Sequence, residues 1–220
     1  MKAIMPKIKR EWVDQIIILD GGSTDGTVEF ARANNYFVYE QKKRGMRYAY
    51  LEVMPFVEGD VIITFSPDGN SIAECIPALV AKMRENYDMV IVSRYLDGAK
   101  SEDDDFFTGF GNWLFTRTVN LIHGGGYTDV MVMYRAYRKQ IIYDLELDQE
   151  RWYKTPEMLF GAKGVSWEPM MSARAGRRKL KIAEIPGDEP PRIGGVRKLQ
   201  IWRWGAVCYF EFWRDLFLFR

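Results

Sequence analysis

The stretch IIILDGGSTDGT (residues 16–27) decides how this chain is read. Four consecutive apolar residues look like a buried strand. The strand ends on Asp20, and Gly21, Gly22, Ser23, Thr24 and Asp25 follow as turn formers before the helix-like TVEFARAN. In open parallel sheets, ligands bind at the carboxyl ends of the strands. A carboxylate there can accept hydrogen bonds from a base N–H or a ribose hydroxyl. Gly21 and Gly22 allow a sharp turn and close backbone approach, while Ser23, Thr24 and Asp25 can cap the next helix. A plain strand-to-helix turn, with Asp20 bonded to its own loop, accounts for the same residues.

The design recurs along the chain. YFVYE (36–40), DVIITF (60–65) and DMVIVSR (88–94) read as further strands, separated by the helix-like GMRYAYLEVMPFV and SIAECIPALVAKMREN. The second of these helices carries Ile72, Ile76, Leu79, Val80 and Met83 at helical spacing, with Ser71 as its N-cap. Apolar strands alternating with helices predict an α/β fold, a mostly parallel sheet with helices on both faces. Beyond Arg94 come a polar loop (95–111), the helix-like NWLFTRTVNLI, a strand and helix in TDVMVMYRAYRKQII, a strand at 180–185 and a Pro/Gly-rich loop.

Composition narrows the functional classes. A chain of 220 residues with 47% hydrophobic content suits one globular domain. A net charge of +1 argues against a nucleic-acid partner. Two distant cysteines, Cys75 and Cys208, suggest no disulfide framework and a reducing, cytoplasmic setting. One histidine, His123, excludes a multi-histidine metal site and reads as a helix end. MKAIMPKIKREW lacks the apolar core of a signal peptide, and no apolar run is long enough to span a bilayer. The C-terminal LQIWRWGAVCYFEFWRDLFLFR (199–220) is an aromatic helix broken by charges. It suits a lipid interface, or docking on the core or on a second subunit in a homo-oligomer.

A second strand end carries more chemistry. GDVIITFSPDGN (59–70) closes on Ser66, Pro67, Asp68, Gly69 and Asn70. A carboxylate and an amide oxygen two residues apart can reach one hard cation, which would neutralise a nucleotide diphosphate as it leaves. An Asx-turn ahead of the next helix is the simpler reading. KKRGMR (42–47) places cations, Arg44 among them, beside a glycine at a helix start, where phosphate can bind. EDDD (102–105) follows no strand and reads as a solvated acidic turn.

Six motifs in order resemble family 2 glycosyltransferases of the GT-A (nucleotide-diphospho-sugar transferase) fold, in the layout of the polyprenyl-phosphate, dolichol-phosphate mannose synthase-like branch. They are LDGGSTDGT, GDVIITFSPDGN, VSRYLDG (92–98), TDVMVMYRAYRK (128–139), EPMMSARA (168–175) and EIPGDEPPRIGGVRKL (184–199). The resemblance implies a domain over 1–198 followed by the aromatic helix at 199–220. It implies nucleotide-sugar contacts from Asp20, Gly21, Ser23, Asp25, Arg44, Ser66, Arg94, Arg192 and Lys198, and Mg2+ or Mn2+ on Asp68 and Asn70. The implied reaction is inverting transfer of a sugar from a nucleotide-diphosphate donor. With a hydroxyl acceptor, Asp129 is the first candidate base and Glu168 the second; a lipid-phosphate acceptor needs none. Cations on the glycine-rich RIGGVRK loop can close over phosphate.

Three departures stand out. The family's opening strand is missing, because the chain begins within what resembles the helix after it. Ser66 replaces the first aspartate of the family's metal motif, and Gly21 replaces the second aspartate of its nucleoside motif. The first two make credible a catalytically impaired domain acting as a subunit or scaffold; a sugar nucleotidyltransferase is a further alternative, which would want a Gly-rich phosphate loop near the first strand where the sequence offers only KKRG.

Overall fold

The computed structural model describes residues 1–193 and 201–219. The first twelve residues make two single 3-10 turns, Met5–Lys7 and Arg10–Trp12. Then follow β1 (Ile17–Asp20), α1 (Thr27–Ala33), β2 (Phe37–Glu40), α2 (Met46–Val53), β3 (Val61–Thr64), α3 (Ile76–Arg84), β4 (Met89–Ser93) and α4 (Phe106–Ile122). The chain continues through β5 (Arg135–Arg138), α5 (Ile141–Asp144), α6 (Arg151–Phe160), α7 (Glu168–Arg177), β6 (Ile182–Pro186) and α8 (Ile201–Leu218).

Local chemistry sets several boundaries. α3 does not begin at Ser71. A 3-10 turn (Ala73–Cys75) precedes it, and the helix starts at Ile76 with Pro77 in its first turn, where the missing N–H costs nothing. α4 starts before the expected NWLF, because Asp105 and Thr108 form a reciprocal capping box. The glycine of KKRGMR serves packing. A Cβ on Gly45 would lie 2.6 Å from the Gly164 Cα, so both positions exclude a side chain.

The sheet is mixed and interrupted. β1 pairs with β2 in parallel, and separately the order β3-β5-β4-β6 forms a four-stranded sheet. β4 and β6 are parallel, whereas β5 runs antiparallel to both β3 and β4. Among the described residues no strand ladder joins β1 to β3. The Gln15 side chain bridges their starts, donating to Phe56 O (2.9 Å) and accepting from Glu58 N (3.1 Å). Residues 61–63 of β3 stay half-buried, whereas every residue of β4 is buried. Among the described residues, no strand precedes β1. The N-terminal turns instead pack Met5 and Ile8 against Ile18, Ala31 and Leu79.

Two cores flank the sheet, sorted by the two-residue period of the strands. Val90, Val92 and Ala136 face α1, α3 and the N-terminal turns; Met89, Ile91 and Tyr137 face α4 to α8. α7 is buried over nearly its whole length, and α8 docks beside it through Val207, Cys208 and Phe212. His123 closes α4 and bonds to Phe212 O at 2.8 Å, the helix-end role read from sequence.

Ionic groups are sealed into this second core. Arg174 donates to Asp215 at 2.5 Å and lies over the rings of Trp152 and Phe219. Glu211 is buried with neither carboxyl oxygen partnered among the described residues. Burial pushes its pKa up to about 8, against the pull of Arg214 and with a further push from Asp215. The folded state therefore holds a proton that the unfolded chain has lost above its ordinary value of 4.5, so stability falls as pH rises from there to about 8. Glu211→Gln is expected to flatten that slope by up to about 1.4 kcal/mol per pH unit, measured by urea denaturation at a series of pH values.

Candidate active site

The carboxyl ends of β3 and β4 converge with the segments after β6 and before α4 on one charged network. Arg94, next after β4, is its centre. Arg94 Nε and Nη2 donate to the two oxygens of Asp129 at 2.7 and 3.1 Å, and Nη1 donates to Glu189 Oε2 at 2.9 Å. Asp104 lies 3.6 Å from the same Nη1 and also accepts from the Tyr95 hydroxyl. Desolvation works against the buried guanidinium, but Asp129 and Glu189 outweigh it and hold its pKa well above its ordinary value.

The network continues to the end of β3. Glu189 accepts from the Asn70 amide at 3.4 Å, and Asp68 accepts from the Asn70 backbone N–H at 3.3 Å. Arg192 lies 3.5 Å from Asp68 and donates to Asp103 at 3.2 Å. Five carboxylates thus face two guanidinium groups among the described residues. Ser66, two residues before Asp68, is half-buried.

Below Arg94, Glu184 of β6 positions the turn that carries Asp129. Its carboxylate accepts from Thr128 N, the Thr128 hydroxyl and Asp129 N at 2.8–3.1 Å. Burial raises its pKa despite these bonds.

Asp20 stands apart, at the end of β1. It accepts from Gly22 N at 2.8 Å and Ser23 N at 3.0 Å. Burial pushes its pKa up, but the Ser23 hydroxyl and these N–H groups outweigh it and hold the carboxyl below its ordinary value. Gly21 lies in the same turn, while Asp25 caps Thr27 N at 3.1 Å and is exposed. Arg44 is exposed too. Its neighbour Arg47 is instead buried in a bidentate pair with Glu157, at 2.7 and 3.3 Å.

The two candidate bases part company. Asp129 is fully buried with both oxygens on Arg94, so accepting a proton requires that pair to open. Glu168 opens α7 with its carboxylate turned into the core, where it accepts from the Tyr50 hydroxyl at 2.8 Å. Lys198 lies outside the described residues. The acidic turn 102–105 is not simply solvated, because Asp103 and Asp104 hold the two arginines and Asp105 caps α4. Nothing local in EDDD signals this; only the fold brings it to β4. Glu184 and Glu189 did lie in a quoted motif, without a role.

Asp68 and Asn70 could offer a divalent cation one carboxylate and one amide oxygen just past the end of β3. No cluster of three or more metal-ligating side chains exists among the described residues, so the protein offers no complete cage. Water, or the oxygens of a bound phosphate, would complete the shell of such an ion. A cavity of about 550 Å³ between α6 and α8 contains none of these residues.

The fold is that of a nucleotide-diphospho-sugar transferase domain of the GT-A type. Residues 10–146 match the profile of glycosyl transferase family 2, and the chain belongs to that family. It is 26% identical over 216 residues to Glycosyltransferase AglJ of Haloferax volcanii. That match covers 96% of this chain and 66% of the relative, just under two thirds of its length. Among solved structures, a mycobacterial protein aligns with TM-score 0.60 at 17% identity, covering 89% of this chain and 61% of the other. Glucosyl-3-phosphoglycerate synthase from Mycobacterium tuberculosis, solved with Mn2+, UDP-glucose and phosphoglyceric acid, aligns with TM-score 0.59 at 15% identity. That alignment covers 93% of this chain and 69% of the synthase.

Neutralising Asp129 removes the carboxylate that takes two hydrogen bonds from the buried Arg94 guanidinium and leaves Glu189 and Asp104 as its charged partners. Asp129→Asn is expected to lower stability by about 3 kcal/mol in urea denaturation, and Asp104→Asn, at the margin of the network, by under about 1 kcal/mol.

Proposed function

We propose that the chain transfers a sugar, with inversion, from a nucleotide-diphosphate donor to an acceptor that bears a phosphate, in the manner of the polyprenyl-phosphate branch. The observation that carries this reading is the charged network at the strand ends, where an excess of carboxylate meets two arginines. Asp68 and Asn70 would hold Mg2+ or Mn2+. That ion would neutralise charge developing on the leaving diphosphate. Asp20 takes the nucleoside, its Ser23 and Gly22 bonds keeping it ionised and oriented. Arg192, with Lys198, meets phosphate oxygens.

The acceptor oxygen attacks the anomeric carbon from the face opposite the diphosphate, whose C–O bond breaks. A phosphate oxygen is already a nucleophile. That suits a site where Asp129 is committed to Arg94 and Glu168 to Tyr50. Asp129 then acts by positioning Arg94 instead of taking a proton. A structural relative crystallised with Mn2+ and a phosphate-bearing acid supports this class of chemistry.

A lipid-borne acceptor accords with the exposed rings beside the site. Phe106 of α4 packs with Phe107 and with Phe110, Phe107 meets Trp202 of α8, and all four are exposed. Trp213 and Phe217 extend the exposed aromatic face along α8. No described helix is long and apolar enough to cross a membrane. Rings at headgroup depth would hold the chain on a membrane surface, the cytoplasmic one in the reducing setting read from the two cysteines.

The interrupted sheet and Ser66 favour a second reading, an impaired domain serving as a scaffold. Thermal shift with UDP-, GDP- and dTDP-sugars, with and without Mn2+, separates the two. A metal-dependent shift with one base, lost in Asp68→Ala, supports the enzyme; no shift with any donor supports the scaffold. In the enzyme, Asp68→Ala is expected to cost at least about a hundredfold in transfer rate. Flotation with phospholipid vesicles tests the lipid surface. Binding should drop several-fold in the Phe107→Ala, Trp202→Ala double variant, and equal binding would remove the membrane from this proposal.

A further inference from the structure

The Asp68 carboxylate, given above to the donor's metal, is engaged by the chain's own cation. Arg192 Nη1 lies 3.5 Å from Asp68 Oδ2, and Arg192 Nε lies 3.2 Å from Asp103 Oδ2. Backbone geometry puts the guanidinium there. Ile193 N–H donates to Asp68 O at 2.9 Å. Its side chain rests on Gly69, where a Cβ would lie 2.6 Å from Ile193 Cγ1 and φ is +108°. Any other residue at 69 would be strained and would push this strap away.

The strap is also pinned at its other end. Gly187 N–H donates to Ser93 O at 3.0 Å, and Glu189 N–H donates to Lys100 O at 2.9 Å. Lys100 N–H donates to Asp188 at 2.8 Å. Residues 187–193 therefore run from the end of β4 to the end of β3 as one anchored segment, with Arg192 delivered onto Asp68.

We propose that Arg192 is a built-in counter-ion that competes with the divalent cation for Asp68, and that Asp103 holds the guanidinium when it is displaced. The proposal rests on the reading of Asp68 as the metal's carboxylate. Side-chain exposures of 30% for Arg192, 26% for Asp68 and 20% for Asp103 leave both pairs open to water. Such pairs are weak enough to exchange. A divalent ion on Asp68 repels a guanidinium a few ångströms away. The displaced group keeps Asp103 and presents its free nitrogens to the diphosphate, whose oxygens match its fork. Metal arrival and cation delivery are then one coupled event, and the coupling is reciprocal. The acidic turn before α4 thus acts as a positioning element through Arg192.

Mn2+ alone is the probe, with free Mn2+ measured by electron paramagnetic resonance in the absence of nucleotide. Arg192→Gln is expected to tighten Mn2+ binding on the order of fivefold. Arg192→Lys, which keeps the charge, should stay within about twofold of the wild type. Asp103→Asn should weaken binding, and less so in the Arg192→Gln background, a coupling that simple loss of a nearby charge does not produce. Unchanged or weaker binding in Arg192→Gln overturns the competition. Asp68→Ala separates the two levels of the argument. If it abolishes binding while Arg192→Gln does not tighten it, only the competition fails. If Asp68→Ala binds Mn2+ as the wild type does, or if neither the wild type nor Arg192→Gln binds it, the metal reading of Asp68 fails and the proposal with it. Binding seen only in Arg192→Gln supports the competition.

Discussion

The clasp of Arg94 on Asp129 is the interaction on which the ligand end of this sheet depends. A buried charge is tolerated only when its partners replace the lost water. Arg94 finds them in segments distant along the chain, 35 residues away at Asp129 and 95 residues away at Glu189. One guanidinium therefore fixes where the approach to β5, the segment after β6 and the acidic turn before α4 stand relative to β4. Glu184 secures the same arrangement from below, through three donors on Thr128 and Asp129. A site built from loops gains the rigidity of a packed element because its own ion pairs fasten the loops together.

The core behind the site follows the same logic with other residues. Arg47–Glu157 and Arg174–Asp215 are both buried, and each spans elements far apart in sequence. Such pairs contribute little net stability over apolar residues of the same volume, but removing one partner is costly. The first ties α2 to α6 and the second ties α7 to α8, so each selects one docking where aromatic packing alone would tolerate several. α8 is consequently two-faced. Val207, Cys208 and Phe212 belong to the core, while Trp202, Trp213 and Phe217 remain outside. Docking on the core and lying against a lipid surface, set against each other from sequence, are compatible for different faces of one helix.

What sequence made legible was whatever is local. Apolar runs closed by turn formers marked β1, β3 and β4, although only β4 is buried at every residue. The strand-end residues Asp20, Asp68, Asn70 and Arg94 were legible for the same reason. The antiparallel insertion of β5 was not, since RAYR carries no mark of direction. The capping box that starts α4 lay inside a loop read only for its charge. Asp103, Asp104, Glu184 and Glu189 act through partners dozens of residues away, and nothing in their own neighbourhoods announces it. Arg47 shows the converse error: beside three other cations it looked like phosphate chemistry, yet Glu157, 110 residues on, takes it into the core.

The interruption between β1 and β3 bears on how the two halves of the site cooperate. A continuous ladder would hold the Asp20 turn and the Asp68 turn in fixed register. Here the link runs instead through the Gln15 side chain and apolar packing around Ile18 and Ile63. Side-chain contacts of this kind permit small shifts that ladder bonds resist. On the proposed reading, a nucleotide sugar places its base against one half and its diphosphate against the other. The ligand then supplies part of the rigidity that the sheet lacks, and binding bears the cost of ordering the two halves together. A donor truncated to either end would recover much less than its share of the affinity, because neither fragment spans the interruption.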